Sequence, residues 1–259
     1  MNSKNKIFLI FFLLGLYPAL AQEGTRLTKD NSRAPVGRIM IIPFEPKLYM
    51  SEIDRKINEK TKWNFEQIRE NFRHQLENQL KLKLKPIGKV VSFYTDSAKM
   101  SKDLLTIYKS TALSYELIET PKVPAATTEE GGITKGQLTV EVNTDKKFMN
   151  LKINDSNLLT SLHKKYKTEY FVFINQLDIK NDMDSYDIAT DTYQREITVH
   201  YSTFNKEGKN ILAGIATTRF SSKESEPKKI VSLQFSIIAS KITARFVAAV
   251  TPEPSPTIR

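Results

Sequence analysis

Arg38-Ile39-Met40-Ile41-Ile42-Pro43-Phe44 holds a short unbroken apolar run, rich in β-branched residues and closed by a proline. Such a run reads as a strand buried on both faces in the middle of a sheet. The elements after it decide the fold. Across residues 63–84, Phe65, Ile68, Phe72, Leu76 and Leu80 recur at three- and four-residue steps, a stripe that can lie on a sheet. Arg69, Glu70, Arg73, Glu77 and Lys81 are placed mainly on the outer face, and Pro86 and Gly88 stop the helix. Residues 89–95 read as a second strand. A second long helix is expected from Asp96 or Ser97 to about Ile118, with Met100, Leu104, Ile107, Tyr108, Ala112 and Tyr115 on its apolar side.

Between the opening strand and the first long helix lies a short segment with Ser51 at a cap position, and only Ile53 and Ile57 spaced for burial. Residues 120–136 carry Pro121, Pro124 and Gly131-Gly132 and read as a surface loop. Residues 137–142 alternate as a short strand, with residues 151–153 as its hairpin mate, so residues 120–154 form a small β insertion. A short helix over residues 156–166 leads to a second fully apolar strand, residues 169–175, expected beside the first. A long hairpin comes next. Ile197, Val199 and Tyr201 share one face, Asn205-Lys206-Glu207-Gly208-Lys209 forms the turn, and Ile211, Ala213 and Ile215 share one face of the return strand. Pro227 opens a closing helix, residues 230–250, with Val231, Phe235, Ile238, Ile242 and Phe246 on its buried stripe. This order predicts an α/β (α+β) fold: a mixed β-sheet with packed amphipathic helices, in one domain over residues 38–250.

Outside that domain, Lys4 and Lys6 precede an apolar stretch over residues 7–16, and Ala19-Leu20-Ala21 supplies small residues for cleavage. This predicts a signal peptide over residues 1–21 and a periplasmic or secreted mature protein with no transmembrane span. A flexible leader is expected over residues 22–37 and a mobile Pro-rich tail over residues 251–259. Cysteine is absent, which excludes disulfides, thiolate metal sites and a lipid anchor on a processed amino-terminal cysteine. Hydrophobic residues at 40% support a packed core. Loss of Lys4 and Lys6 lowers the net charge from +10 to +8. Export argues against nucleic acid, leaving an anionic glycan or lipid surface, an acidic partner, or solubility alone as reasons for the charge.

Catalytic and cofactor signatures are missing. The sequence has no Gly-x-Ser-x-Gly elbow and no phosphate-binding glycine loop. His74, His163 and His200 each stand alone, without a second ligand at metal spacing, and read as surface histidines. Asp178, Asp182, Asp184, Asp187 and Asp191 form an acidic cluster without the spacing or glycine of an EF-hand, and read as a solvated connection between strands. No catalytic residue, cofactor or metal site is expected. The feature nominated for partner binding is the hydroxylated face Ser232, Ser236, Ser240 and Thr243 of the closing helix, set against ordinary solvent exposure.

The element order carries a resemblance. A buried strand ending in Ile42-Pro43-Phe44, a long amphipathic helix, a late apolar strand at residues 170–174, a hairpin tipped Asn-Lys-Glu-Gly and a closing helix resemble a periplasmic α/β domain. That domain is shared by the curli secretion channel, the lipoprotein activators of penicillin-binding proteins and the amino-terminal domain of TolB. The resemblance implies an envelope accessory protein that works through protein contacts, not catalysis. It departs from the lipoprotein members in lacking their anchoring cysteine. The alternative is a binding module for an anionic envelope ligand.

Overall fold

The computed structural model describes residues 36–94, 97–117 and 147–251. The signal peptide, most of the leader, the loop and strand expected within residues 120–142 and the tail beyond residue 251 lie outside the described residues.

Among the described residues there are eight strands: β1 (Arg38–Ile42), β2 (Tyr49–Ser51), β3 (Lys89–Ser92), β4 (Thr111–Leu117), β5 (Lys147–Ile153), β6 (Tyr170–Asp187), β7 (Thr192–Asn205) and β8 (Asn210–Ser221). Four α-helices lie between them: α1 (Asp54–Thr61), α2 (Phe65–Leu84), α3 (Ser97–Lys109) and α4 (Leu158–Tyr166). A closing helix spans Pro227–Val250. The main sheet has the order β3-β1-β6-β7-β8, with β2 joining β6 beyond β1. The opening strand is central, as expected. It pairs in parallel with β3 (Ile39 opposite Val90) and with β6 (Ile39 opposite Tyr170). The long β6–β7–β8 meander is antiparallel.

Side chains of β1 alternate between two cores, the reason its sequence is apolar at nearly every position. Ile39 and Ile41 point into a core with Phe72, Leu76 and Leu80 of α2 and Phe235, Ile242 and Phe246 of the closing helix. Met40 and Ile42 point into the other, with Met100 and Ile107 of α3, Leu151 of β5 and Leu159 of α4. Helices therefore cover both faces, and β1 is flanked by strands reached through connections on opposite faces. That makes the carboxyl end of β1 a topological switch point.

Helix α2 starts with a reciprocal capping box. Gln67 N–H donates to Asn64 Oδ1 at 2.9 Å, and Asn64 N–H to Gln67 Oε1 at 2.9 Å. Beyond its end stands Gly88, because the chain passes so close there that a Cβ would lie 2.3 Å from the Val36 carbonyl oxygen.

Several expectations are corrected. Helix α3 stops at Lys109, and Ala112 and Tyr115 belong to β4. The hairpin mate of β5 is β4, with Leu117 opposite Lys147. Among the described residues β4 and β5 form an antiparallel hairpin on the second core, and residues 120–146 of the expected insertion lie outside the described residues. Ile53 occupies the cap position of α1, and Ser51 lies in β2, its hydroxyl accepting from Ile53 N–H. Phe65 is exposed, whereas Arg73 and Glu77 are buried instead of lying outside. Arg73 reaches the switch point. Its Nε donates to the Phe44 carbonyl at 2.7 Å, Nη1 to Tyr94 Oη at 2.7 Å, and Nη2 to Tyr108 Oη at 2.9 Å. A guanidinium with that many partners can be buried where a lone charge cannot. Burial raises both phenols, Tyr108 to about 12, so neither carries charge at neutral pH. The buried positions of β8 are Gly214, Ala216, Thr218 and Phe220, one residue out of phase with the expected Ile211, Ala213 and Ile215. A bulge between Thr203 and Phe204 accompanies this shift.

Candidate functional site

The closing helix carries apolar side chains on its buried face and also on part of its exposed one. Ile230, Phe235, Ile238, Ala239, Ile242 and Phe246 are buried against the first core. A π-helical turn at Ile230–Phe235 adds a residue to the winding and sets the phase of the later turns. Outside, Leu233 is 57% exposed and Ile237 43% exposed. On the 100° helical step, Leu233, Ile237, Ser240, Ala244 and Ala248 share the outward stripe. Mean hydropathy reaches 1.4 over an 18-residue window of this helix, of which 39% is buried within the protein. A surface helix ordinarily carries polar residues outside, and one apolar all round ordinarily has neighbours all round.

The sequence-nominated hydroxyls stand on one flank of this stripe. Ser232 Oγ donates to the Lys229 carbonyl at 3.3 Å and Ser240 Oγ to the Ser236 carbonyl at 2.9 Å. Bonds of this kind turn hydroxyls inward and leave methylenes outward. Thr243 Oγ1 is buried without a hydrogen-bond partner among the described residues. Ser236, Ser240, Ala244 and Ala248 repeat every fourth residue, so a second helix could approach closely along them. The structure thus brings Ser232, Ser236, Ser240 and Thr243 onto one side of an apolar surface. Sequence reasoning missed Leu233 and Ile237, although their spacing of four was visible beside the serines.

The charges of this helix are all basic: Lys228, Lys229, Lys241 and Arg245. Three of them are engaged. Lys241 Nζ donates to the Thr217 carbonyl at 2.7 Å and Arg245 Nη1 to the Ile215 carbonyl at 2.6 Å. Both cap outward carbonyls of the edge strand β8, a device that guards an edge against strand addition. Lys229 lies 3.5 Å from Glu224. The face is therefore apolar at its centre and basic at its rim.

The histidines divide. His74 is exposed and His163 is half-buried, its Nδ1 2.8 Å from the Thr168 carbonyl. His200 is a correction: it is only 4% exposed and sits beneath the β4–β5 hairpin. Its Nδ1 accepts from Met149 N–H at 2.9 Å, which leaves the proton on Nε2, 3.4 Å from Asp178 Oδ2. Asp178 also accepts from Gln176 Nε2 at 2.6 Å. The acidic cluster likewise does not form a loop between strands: Asp178, Asp182, Asp184 and Asp187 all lie in β6, and Asp191 alone lies in the turn before β7. Among the described residues no group of three or more His, Cys, Asp or Glu side chains is placed to hold a metal ion.

No protein-family model and no curated protein matches the chain, so the periplasmic family named above remains an expectation. Among solved structures, the chain is similar to the crystal structure of lipoprotein GNA1162 from Neisseria meningitidis. The TM-score is 0.39 at 11% identity, covering 81% of this chain and 99% of that one.

Proposed function

We propose that this is an exported envelope accessory protein that acts by docking the outer face of its closing helix onto an apolar helix of a partner protein. The observation that carries this reading is the exposure of Leu233 and Ile237 on a helix whose other face is already buried. The four-residue repeat of small side chains favours a helix as the occupant, because small residues let two backbones approach. The basic rim favours a partner helix flanked by acids. A membrane surface fits less well. Interfacial helices gain affinity from large apolar side chains, and this stripe has only Leu233 and Ile237 above alanine size at its centre.

The test is photocrosslinking in intact cells from a benzoylphenylalanine at position 240, with position 206 on the far turn as control. A discrete protein adduct from position 240 alone, abolished by Leu233→Glu, is the expected result. Leu233→Glu should leave stability within about 0.5 kcal/mol, since the site is exposed. Adducts to lipid only, or a protein adduct that Leu233→Glu leaves intact, would sink the reading.

A second reading, an anionic envelope ligand, has its own observation. A cleft of about 490 Å³ at the end of α2 is lined by Lys81, Lys85 and Lys89. Binding of a polyanion there should fall steeply with ionic strength.

A further inference from the structure

We propose a second site, independent of the closing helix: a groove between Trp63 and Tyr94 that binds a neutral carbohydrate. The groove has a volume of about 400 Å³ and is lined by Trp63, Gln67, Glu70, Asn71, His74 and Tyr94. It opens beside the switch point at the carboxyl ends of β1 and β3, where open α/β sheets hold their ligands.

Its walls are aromatic and fixed before any ligand arrives. Lys62 takes the left-handed conformation, φ 64°, that turns the chain from α1 into α2. Trp63 comes at once after it, its N–H donating to Thr61 Oγ1 at 3.1 Å and its carbonyl accepting from Asn58 Nδ2 at 2.7 Å. The indole packs partly against the first core. Trp63 precedes the cap and Ile68 is the fourth helical residue, the two positions of a hydrophobic staple. On the opposite wall, Tyr94 is held by Arg73 Nη1 at its hydroxyl. Its ring lies against the His74 ring, centroids 4.5 Å apart at 34°.

The floor is one stripe of α2. Gln67, Glu70, Asn71 and His74 fall at i, i+3, i+4 and i+7, a run of roughly 10 Å along the helix, long enough for two hexose rings. These side chains offer donors and acceptors side by side, as a ring of hydroxyls needs. The Asn71 amide has no hydrogen-bond partner among the described residues. Gln67 Oε1 is taken by the Asn64 amide, which leaves its NH₂ to donate. Glu70 lies 3.3 Å from Arg73 and 3.5 Å from Arg69, so it can accept from a hydroxyl while its charge is already met.

That charge balance selects the ligand class. Among the described residues no unpaired cation lines the groove to favour a phosphate, and its one carboxylate is already partnered by two arginines. Flat aromatic faces with amides and a neutralised carboxylate suit a sugar, whose C–H face stacks on a ring while its edge hydroxyls bond below.

Trp63 is the single tryptophan of the chain, so its emission reports on the groove alone. The full chain would be titrated with the β-linked tetramer of N-acetylglucosamine and the α-linked tetramer of glucose, by fluorescence and by calorimetry. The expected result is a saturable shift of emission and matching heat with at least one tetramer, unchanged on raising the salt. Asn71→Ala should weaken that binding roughly fivefold, the loss of one hydrogen bond, with the melting temperature unaltered. Neither shift nor heat with both tetramers overturns the proposal. So does binding that Asn71→Ala leaves untouched, or preference for a sulfated heparin tetramer that disappears with salt.

Discussion

The two faces of the sheet are covered by different chemistry. Under α2 and the closing helix the contact is mainly apolar, from Ile39 and Val172 out to Ile179 and Ile197. Under α3, α4 and the β4–β5 hairpin it is apolar only near β1 and becomes polar further along the hairpin. There Asn175, Gln176, Asp178, His200 and Ser202 are buried; Asn175, His200 and Ser202 hold β5 by hydrogen bonds, and Gln176 reaches Tyr115 of β4. A bulge at Asn175 turns that side chain toward Met149. The first face is held by volume and the second half of the other by satisfied donors. An apolar contact tolerates repacking at similar volume, whereas a polar one needs each donor to meet its acceptor and so fixes where a hairpin docks.

Breaking the apolar face should cost most. Phe72 is fully buried, with Phe235 edge-on at 5.2 Å and Tyr49 at 6.3 Å. Phe72→Ala should destabilise by about 3–5 kcal/mol through lost transfer energy and the cavity left behind. Denaturant unfolding monitored by circular dichroism measures this, and a loss below about 1 kcal/mol would mean the face is not close-packed.

The apolar side has a few buried polar groups, Arg73, Glu77, Arg195 and Thr218, and one of them, Glu77, makes the protein sensitive to pH. Glu77 is 1% exposed, and its Oε1 accepts from Phe93 N–H at 3.0 Å. Burial pushes its carboxyl up to about 7, against weaker opposing pulls from Ser92, Arg73 and Lys81. An acid raised in the folded state adds stability that is complete below its unfolded pKa, near 4.5, and is lost as pH rises to about 7. The loss is roughly 3 kcal/mol over that window. Glu77→Gln should remove this component, so the mutant and the parent should differ in slope between about pH 4.5 and 7. Parallel stability curves would show that Glu77 ionises normally.

These features were unequally legible in the sequence. The central strand, the α2 stripe and the buried stripe of the closing helix all come from a single period of apolar residues, which needs no knowledge of neighbours. Arg73, Glu77 and His200 were misplaced for the opposite reason. Each is polar, so a period argument puts it outside, and each is buried by partners remote in sequence: Phe44 and Tyr108, Phe93, and Asp178. The overrun of α3 into β4 has a similar origin. Ala112 and Tyr115 fit a helical step, and only β5, beyond residue 146, makes them a strand. Of the candidate site, the serines were visible, but their meaning was not. A hydroxyl counts as polar until its bond back to the helix is seen.

The polar half of the second face offers the smallest effect and the sharpest contrast. Ser202 Oγ accepts from Asn175 Nδ2 at 2.8 Å and from Leu151 N–H at 3.3 Å, and donates to Asn150 Oδ1 at 2.8 Å. Ser202→Ala changes almost no volume, so any cost comes from the hydrogen bonds lost, about 1–2 kcal/mol, because Leu151 N–H keeps Asn150 Oδ1 and Asn175 Nδ2 keeps the Met149 carbonyl. Because two of the three partners, Asn150 and Leu151, belong to β5 and the third, Asn175, holds β5 through Met149, the loss should be local. Amide exchange should quicken in β4 and β5 and stay unchanged in α2, whereas Phe72→Ala should quicken it everywhere. Equal quickening of α2 in Ser202→Ala would mean that the hairpin and the sheet open together, and that the two faces are one cooperative unit despite their different chemistry.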